Sequence, residues 1–103
     1  MTRQIHLNLF IYAHGHHEAA WRHPSAPEGP ITDIWHTIRC AQKAEAAKFD
    51  SIFLADVLNV TEDISNTARL WLEPLTTLGA LAVTTERIGL IATASTSYTE
   101  PFN

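Results

Sequence analysis

The sequence predicts an α/β fold built on a parallel sheet. Three short segments, residues 5–11, 51–55 and 88–94, carry the apolar residues of strands. The last two are apolar nearly throughout, the mark of strands buried on both faces. Segments with helical spacing separate them, giving the order β-loop-α-β-α-β. Strand–helix–strand connections of this kind take right-handed crossovers and leave neighbouring strands parallel.

In the first strand, Ile5, Leu7, Leu9 and Ile11 alternate with His6, Asn8 and Phe10. A loop over residues 12–31 follows, with His14, His16, His17, His23, Trp21 and most of the prolines. A loop that long inside a compact domain is usually functional or disordered. Thr32 or Asp33 caps a helix running to about Lys48. Its apolar stripe is Ile34, Ile38, Ala41 and Ala44, with His36, Arg39, Gln42 and Lys43 opposite. Glu45 lies close to the apolar stripe, where an ion pair is the expected explanation.

The second strand ends at Asp56, and a polar connector spans residues 59–69 with room for a helical turn. Pro74 opens the second helix, with Glu73 beside its positive end. Leu75, Leu78 and Ala82 are its expected buried face. The third strand runs into a loop over residues 95–103.

Composition narrows the function. Of 103 residues, 46% are hydrophobic and 17% charged, which is the balance of a globular domain rather than a disordered chain. The net charge of −4 is scattered, with no basic stripe, which argues against nucleic acid. The lone cysteine, Cys40, has no internal disulfide partner and fits a reducing cytosol. The first residues lack the apolar core of a secretory signal, and the apolar run 78–83 is too short to span a bilayer. The expectation is a cytoplasmic protein with residues 1–103 forming part of one domain.

The element order suits either a doubly wound sheet or the start of a barrel. No Gly-x-Gly-x-x-Gly turn follows the first strand and there is no Walker loop, which weakens the nucleotide-binding sheet. Polar residues gather at the carboxyl ends of the strands: His14 to His17, Asp56, and Thr93 to Tyr98. Barrel enzymes put their chemistry there. The expected architecture is therefore the N-terminal three βα units of a TIM-type (β/α)8 barrel, incomplete as given. Three strands cannot close a barrel, and the outer strand exposes a parallel edge that invites self-association.

Three groups of residues can carry chemistry. The first is His14-Gly15-His16-His17-Glu18. Its histidines suggest a metal, but the spacing matches no tight ligand pattern and no second ligand cluster exists, so no metal is expected. The remaining readings are a polar surface loop and a site loop whose imidazole moves protons near neutral pH. The second is Asp56, which either hydrogen-bonds a ligand or caps the next segment. The third is Thr93 and Ser95, which share a side of the strand and either line a polar ligand edge or make local turn bonds.

Taken together, several segments resemble the luciferase-like, FMN-dependent monooxygenases of the nitrilotriacetate, dibenzothiophene-sulfone and long-chain alkane group. They are Gly15-His16-His17-Glu18-Ala19-Ala20-Trp21-Arg22-His23-Pro24, Lys48 to Asp56, Leu72-Glu73-Pro74-Leu75, and Thr85 to Phe102. The resemblance covers nearly the whole chain. It implies a barrel enzyme that uses reduced FMN, supplied by a separate flavin reductase, and molecular oxygen. One oxygen atom enters an organic substrate and the other leaves as water. It implies Asp56 and Thr93 beside the flavin, with Ser95 a weaker candidate. It implies His17 as the catalytic histidine facing the substrate, with His14 near it. Family members are several times longer than this chain, and most flavin phosphate contacts fall outside the motifs present. The exposed strand edge of an incomplete barrel makes a homo-oligomer the expected assembly.

Overall fold

The computed structural model describes residues 2–60, 62–64, 70–100 and 102. Three parallel strands, β1 (Asn8–Phe10), β2 (Ser51–Leu54) and β3 (Gly89–Ala92), lie side by side in sequence order. Helix α1 (Ile34–Ala46) joins β1 to β2, and α2 (Pro74–Ala82) joins β2 to β3. Positions 61 and 65–69 of the connector, and 101 and 103 of the last loop, lie outside the described residues. Among the described residues, no helix is long and apolar enough to cross a membrane.

Strand register sorts the sheet into two faces. Phe10 pairs with Phe53 and Phe53 with Ile91, while Asn8 pairs with Ser51 and Ser51 with Gly89. Alternation puts these six on one face and Leu9, Ile52, Leu54 and Leu90 on the other. The second set meets the helices. Ile52 and Leu54 join Ile38, Ala41 and Ala44 of α1 and Leu81 of α2 in the buried core, with Leu9 and Leu90 packed against it. Both helices thus cover the same face. Ile91, on the opposite face, remains 44% exposed. Sequential parallel strands with every helix on one side are the repeating step of a β/α barrel, whose inner wall is the face without helices.

Helix α1 forms as its sequence predicts. Asp33 Oδ1 accepts the Trp35 backbone N–H at 3.0 Å, satisfying one of the unpaired donors of the first turn. The stripe Ile38, Ala41 and Ala44 is buried, joined by Thr37. The helix ends at Ala46, two residues before the expected stop, because Lys48 turns left-handed at φ 65°. There the Lys48 N–H reaches Glu45 O and the Phe49 N–H reaches Ala44 O, both at 3.0 Å. These two bonds close the helix end in the Schellman pattern.

Elsewhere the structure corrects the sequence reading. β1 is confined to Asn8–Phe10, and Ile5 and Leu7 are exposed. The cause is Asp50, whose Oδ2 accepts the Leu7 N–H at 2.8 Å while Oδ1 lies 3.1 Å from His6 Nδ1. A side chain occupies the place of a further ladder bond. β2 and β3 also stop earlier than expected, at Leu54 and Ala92.

In α2 the expected face is turned. Leu75 and Ala82 are exposed, and the buried residues are Pro74, Thr77 and Leu81, with Leu78 packed against the core. Thr77 tolerates burial because its hydroxyl donates to Glu73 O at 2.8 Å. Glu73 caps the helix directly, accepting the Leu75 and Thr76 N–H groups at 2.9 and 2.6 Å. Nearly every position of α2 is apolar or Thr, so periodicity carries little information about its facing.

Among the described residues, Glu45 makes no ion pair of the kind expected. Its Oε1 accepts three consecutive backbone N–H groups just before β3: Glu86 at 3.0 Å, Arg87 at 2.6 Å and Ile88 at 2.9 Å. Those bonds, the Arg87 one foremost, hold its carboxyl below the ordinary carboxylate range. The carboxylate thereby fixes the start of β3 to α1.

Candidate active site

The carboxyl ends of the three strands lead into the residues that carry polar chemistry. The Ile11 N–H bonds Phe53 O at 3.1 Å, and the Thr93 N–H bonds Leu54 O at 3.0 Å. Tyr12 and Thr93 therefore leave the sheet on either side of Ala55 and Asp56. Asp56 is half-buried two residues beyond β2, Thr93 is half-buried just past β3, and Ser95 follows it. The Ser95 hydroxyl accepts the Ser97 N–H at 3.3 Å, which is the local turn bond expected of a serine at a strand end. Thr93, still bonded to Leu54, continues the alternation of Ile91 on the face without helices, and Ser95 lies three residues past the end of β3.

An aromatic cluster sits at the same end. Phe10 packs on Phe53 with centroids 5.1 Å apart and edge-on against Tyr12 at 5.6 Å. His16 stacks on Tyr12 at 4.9 Å, and Trp71 meets the same tyrosine edge-on at 5.4 Å. Sequence reasoning missed this cluster. Phe10 and Phe53 were legible as strand residues, but their shared row depends on register, and Trp71 arrives from the far side of the connector.

The loop after β1 is ordered by local bonds. Gly15 adopts φ 100°, and a Cβ there would lie 3.1 Å from Ala20 Cβ. A short 3-10 turn, Ala20–Arg22, follows. His17 Nδ1 accepts the Ala19 N–H at 3.1 Å. Because that nitrogen is an acceptor, neutral His17 carries its proton on Nε2 and presents an Nε2–H donor. His23 is fixed likewise, its Nδ1 accepting the Ser25 N–H at 3.2 Å with Ser25 Oγ at 2.7 Å.

Under this loop lies an open cleft of about 550 Å³, lined in part by His14, His17, His23 and His36. His14 Nδ1 is buried and has no hydrogen-bond partner among the described residues. His36 was expected on the polar face of α1, yet it is half-buried against the loop, with Cys40 Sγ 3.6 Å from its Nε2. Burial pushes the His36 imidazole below its ordinary value, and Arg39 and His14 push the same way. Burial pushes the Cys40 thiol up, which keeps it protonated and unreactive at neutral pH. The structure thus brings His14 and His17 together at one cleft. Asp56, Thr93 and Ser95 lie at the neighbouring strand ends and do not line it. Among the described residues, no three His, Cys, Asp or Glu side chains converge as a metal-binding group.

Sequential parallel strands, helices on one face and polar residues at the carboxyl ends define the opening strands of a TIM-type β/α barrel with an enzyme-like mouth. The chain belongs to the luciferase-like monooxygenase family, whose model matches residues 9–103. It is 44% identical over 101 residues to the N-acetyl-S-(2-succino)cysteine monooxygenase of Bacillus subtilis (strain 168), covering 98% of this chain and 23% of that protein. It is 38% identical over 113 residues to the nitrilotriacetate monooxygenase component A of Aminobacter aminovorans, covering 98% and 25%. The crystal structure of a long-chain alkane monooxygenase superposes with a TM-score of 0.82 at 33% identity, covering 95% of this chain and 25% of that one. The chain therefore spans about a quarter of the length of these relatives.

Proposed function

We propose that the chain is the N-terminal part of a two-component flavin-dependent monooxygenase. It would use reduced FMN from a separate flavin reductase, with O2, to insert one oxygen atom into a small organic substrate. Membership of a monooxygenase family supports this, together with the similarity to a protein named component A, a name that implies a second component. The observation that carries the site is the grouping of Asp56, Thr93 and Ser95 at adjacent strand ends, beside the aromatic cluster around Phe10 and Tyr12. Residues 1–103 are read as part of one barrel domain. The lone Cys40 supports a cytoplasmic setting.

These residues suit the ring end of FMN. Hydroxyls and a carboxylate offer hydrogen bonds to a polar ring edge, and the aromatic side chains offer a flat, water-excluding wall. When bound in reduced form, FMN supplies the electrons that divide O2 between product and water. The chain's own residues do the rest. Asp56, Thr93 and Ser95 hold the cofactor edge. His17, as catalytic residue, presents its Nε2–H toward the substrate side, with His14 next to it. Its fixed tautomer gives a hydrogen-bond donor without requiring a charged ring.

The test is reduced-FMN affinity of Asp56→Ala and Thr93→Val in the full-length protein. Each is expected to weaken binding roughly tenfold, the worth of one hydrogen bond to a polar ligand. Unchanged affinity in both variants removes the assignment.

One observation favours self-association as well. In the order β1-β2-β3 the outer strands leave parallel edges open, and a homo-oligomer of this chain would cover them. Sedimentation showing only monomer at high concentration eliminates that reading.

A further inference from the structure

We infer that His36 is the positioning residue of the loop after β1: from α1 its neutral ring holds the backbone at Ala13 and so sets where His14 and His17 stand. Its bearing on catalysis rests on the monooxygenase reading; the docking itself does not.

The loop's own bonds do not place it against the helix. Gly15 bonds Tyr12, Ala20 bonds His17, His23 bonds Ala20 and Ala26 bonds His23. Bonds of that range shape turns within the loop and leave its position to tertiary contacts. On the sheet side, Tyr12 and His16 pack on each other and on Phe10. On the helix side, His36 alone of α1 is among the described residues lining the cleft under the loop. Its ring bonds the Ala13 backbone, one residue before His14.

The ring is set from its other side by Cys40, one helical turn on, whose Sγ lies 3.6 Å from Nε2. Burial keeps that thiol protonated, so S–H donates and Nε2 accepts. The neutral ring then carries its proton on Nδ1, which leaves Nδ1–H as the donor to the Ala13 carbonyl. This is the opposite tautomer to that of His17 and His23.

A charged ring does not keep this arrangement. Its Nε2 would also bear a proton and could no longer accept from Cys40. Around it, Arg39 of α1 and His14 of the loop oppose a positive charge, while the helix cap Asp33 and the Ala13 bond favour one. Burial, the largest influence, sides with Arg39 and His14 and holds the imidazole below its ordinary value. The docked state therefore binds a proton less readily than the undocked one. Docking is at full strength above the ordinary histidine value of about 6.5 and is lost as pH falls through the docked value.

The test is hydrogen exchange over residues 12–23 of the full-length protein, corrected for intrinsic rates and compared at about pH 7.5 and about pH 5.5. The wild-type loop should lose protection at the lower pH. His36→Leu should exchange roughly three- to tenfold faster there at the higher pH, the worth of one hydrogen bond, with α1 and β2 as protected as before. His36→Gln keeps an N–H donor and should recover most of the protection while losing its pH dependence, which a merely space-filling role would not produce. Nitrogen NMR of the wild type should show His36 protonated on Nδ1. Wild-type loop protection in His36→Leu, protection lost throughout α1 and β2 as well, a pH dependence retained by His36→Gln, or a His36 proton on Nε2 overturns the inference. Reduced-FMN affinity is measured alongside. Binding of reduced FMN with a loop indifferent to His36 defeats this inference alone. A loop that follows His36 in a protein that does not bind reduced FMN defeats the monooxygenase reading and leaves the docking role standing.

Discussion

Glu45 Oε1 lies 2.6 Å from the Arg87 backbone nitrogen, and the same oxygen also takes the N–H groups of Glu86 and Ile88. A helix side chain thus gathers three donors that precede β3, across more than forty positions of sequence. Strands β2 and β3 are held in register from outside the ladder, and β3 carries Thr93 to the mouth.

Acid should release this clamp. Glu45's folded pKa is lowered, chiefly by the Arg87 and Ile88 N–H bonds. The unfolded chain therefore binds a proton more readily than the folded one. The stabilisation is fully present above the ordinary glutamate value of about 4.5 and is lost as pH falls through the folded value. Glu45→Gln should lower the urea midpoint at pH 7 and flatten its decline between pH 5 and 3. An unchanged pH profile contradicts the clamp.

Gly89 opens β3 opposite Ser51 of β2. A Cβ there would lie 3.0 Å from Asp50 O and 3.1 Å from Ser51 Cβ. Because a backbone oxygen cannot move aside cheaply, Gly89→Val should cost about 1–3 kcal/mol, the usual range for overpacking. Urea unfolding measures it, and a loss below about 0.5 kcal/mol would mean that the strands separate freely.

Lys48 pays for the turn that ends α1. At φ 65° its Cβ crowds the following carbonyl, which costs roughly 1–2 kcal/mol for an L-residue. Lys48→Gly removes that strain and gives back part of it as chain entropy. The expected net gain is about 0.5–1 kcal/mol, read as a higher urea midpoint with unchanged slope.

The facing of α2 can be tested by truncation. Leu81 is fully buried, whereas Leu75 is 61% exposed. Leu81→Ala should cost about 2–5 kcal/mol and Leu75→Ala well under 1 kcal/mol. The reverse ranking would restore the face that helical periodicity suggests.

The tautomers of His17 and His23 are open to nitrogen NMR. Both rings should show a protonated Nε2 and an unprotonated Nδ1 at neutral pH, given the N–H groups that Nδ1 accepts. A protonated Nδ1 in His17 would remove its role as an Nε2–H donor.

Much of this protein was legible locally. Alternating or continuous apolar residues found all three strands, and Asp33, Pro74 and Glu73 marked the helix starts, because these signals act within a few residues. The strand ends were less legible, since Asp50 binds Leu7 from forty-three positions away and cuts β1 short. The candidate site divides in the same way. His14, His17, Asp56, Thr93 and Ser95 stood out by residue type and by position after strands. His36 did not, because it looks solvent-facing on an isolated helix and is covered only when the β1 loop folds across α1.

Element order, the parallel sheet, the polar carboxyl ends of the strands and the likeness to a monooxygenase family all follow from short-range patterns of burial and motif. Which face of α2 is buried, what Glu45 holds, which aromatic rings meet and which histidines share a cleft emerge only from the folded arrangement. Those outcomes depend on register and on contacts between residues far apart in the chain, where one shift in pairing moves a side chain to the other face.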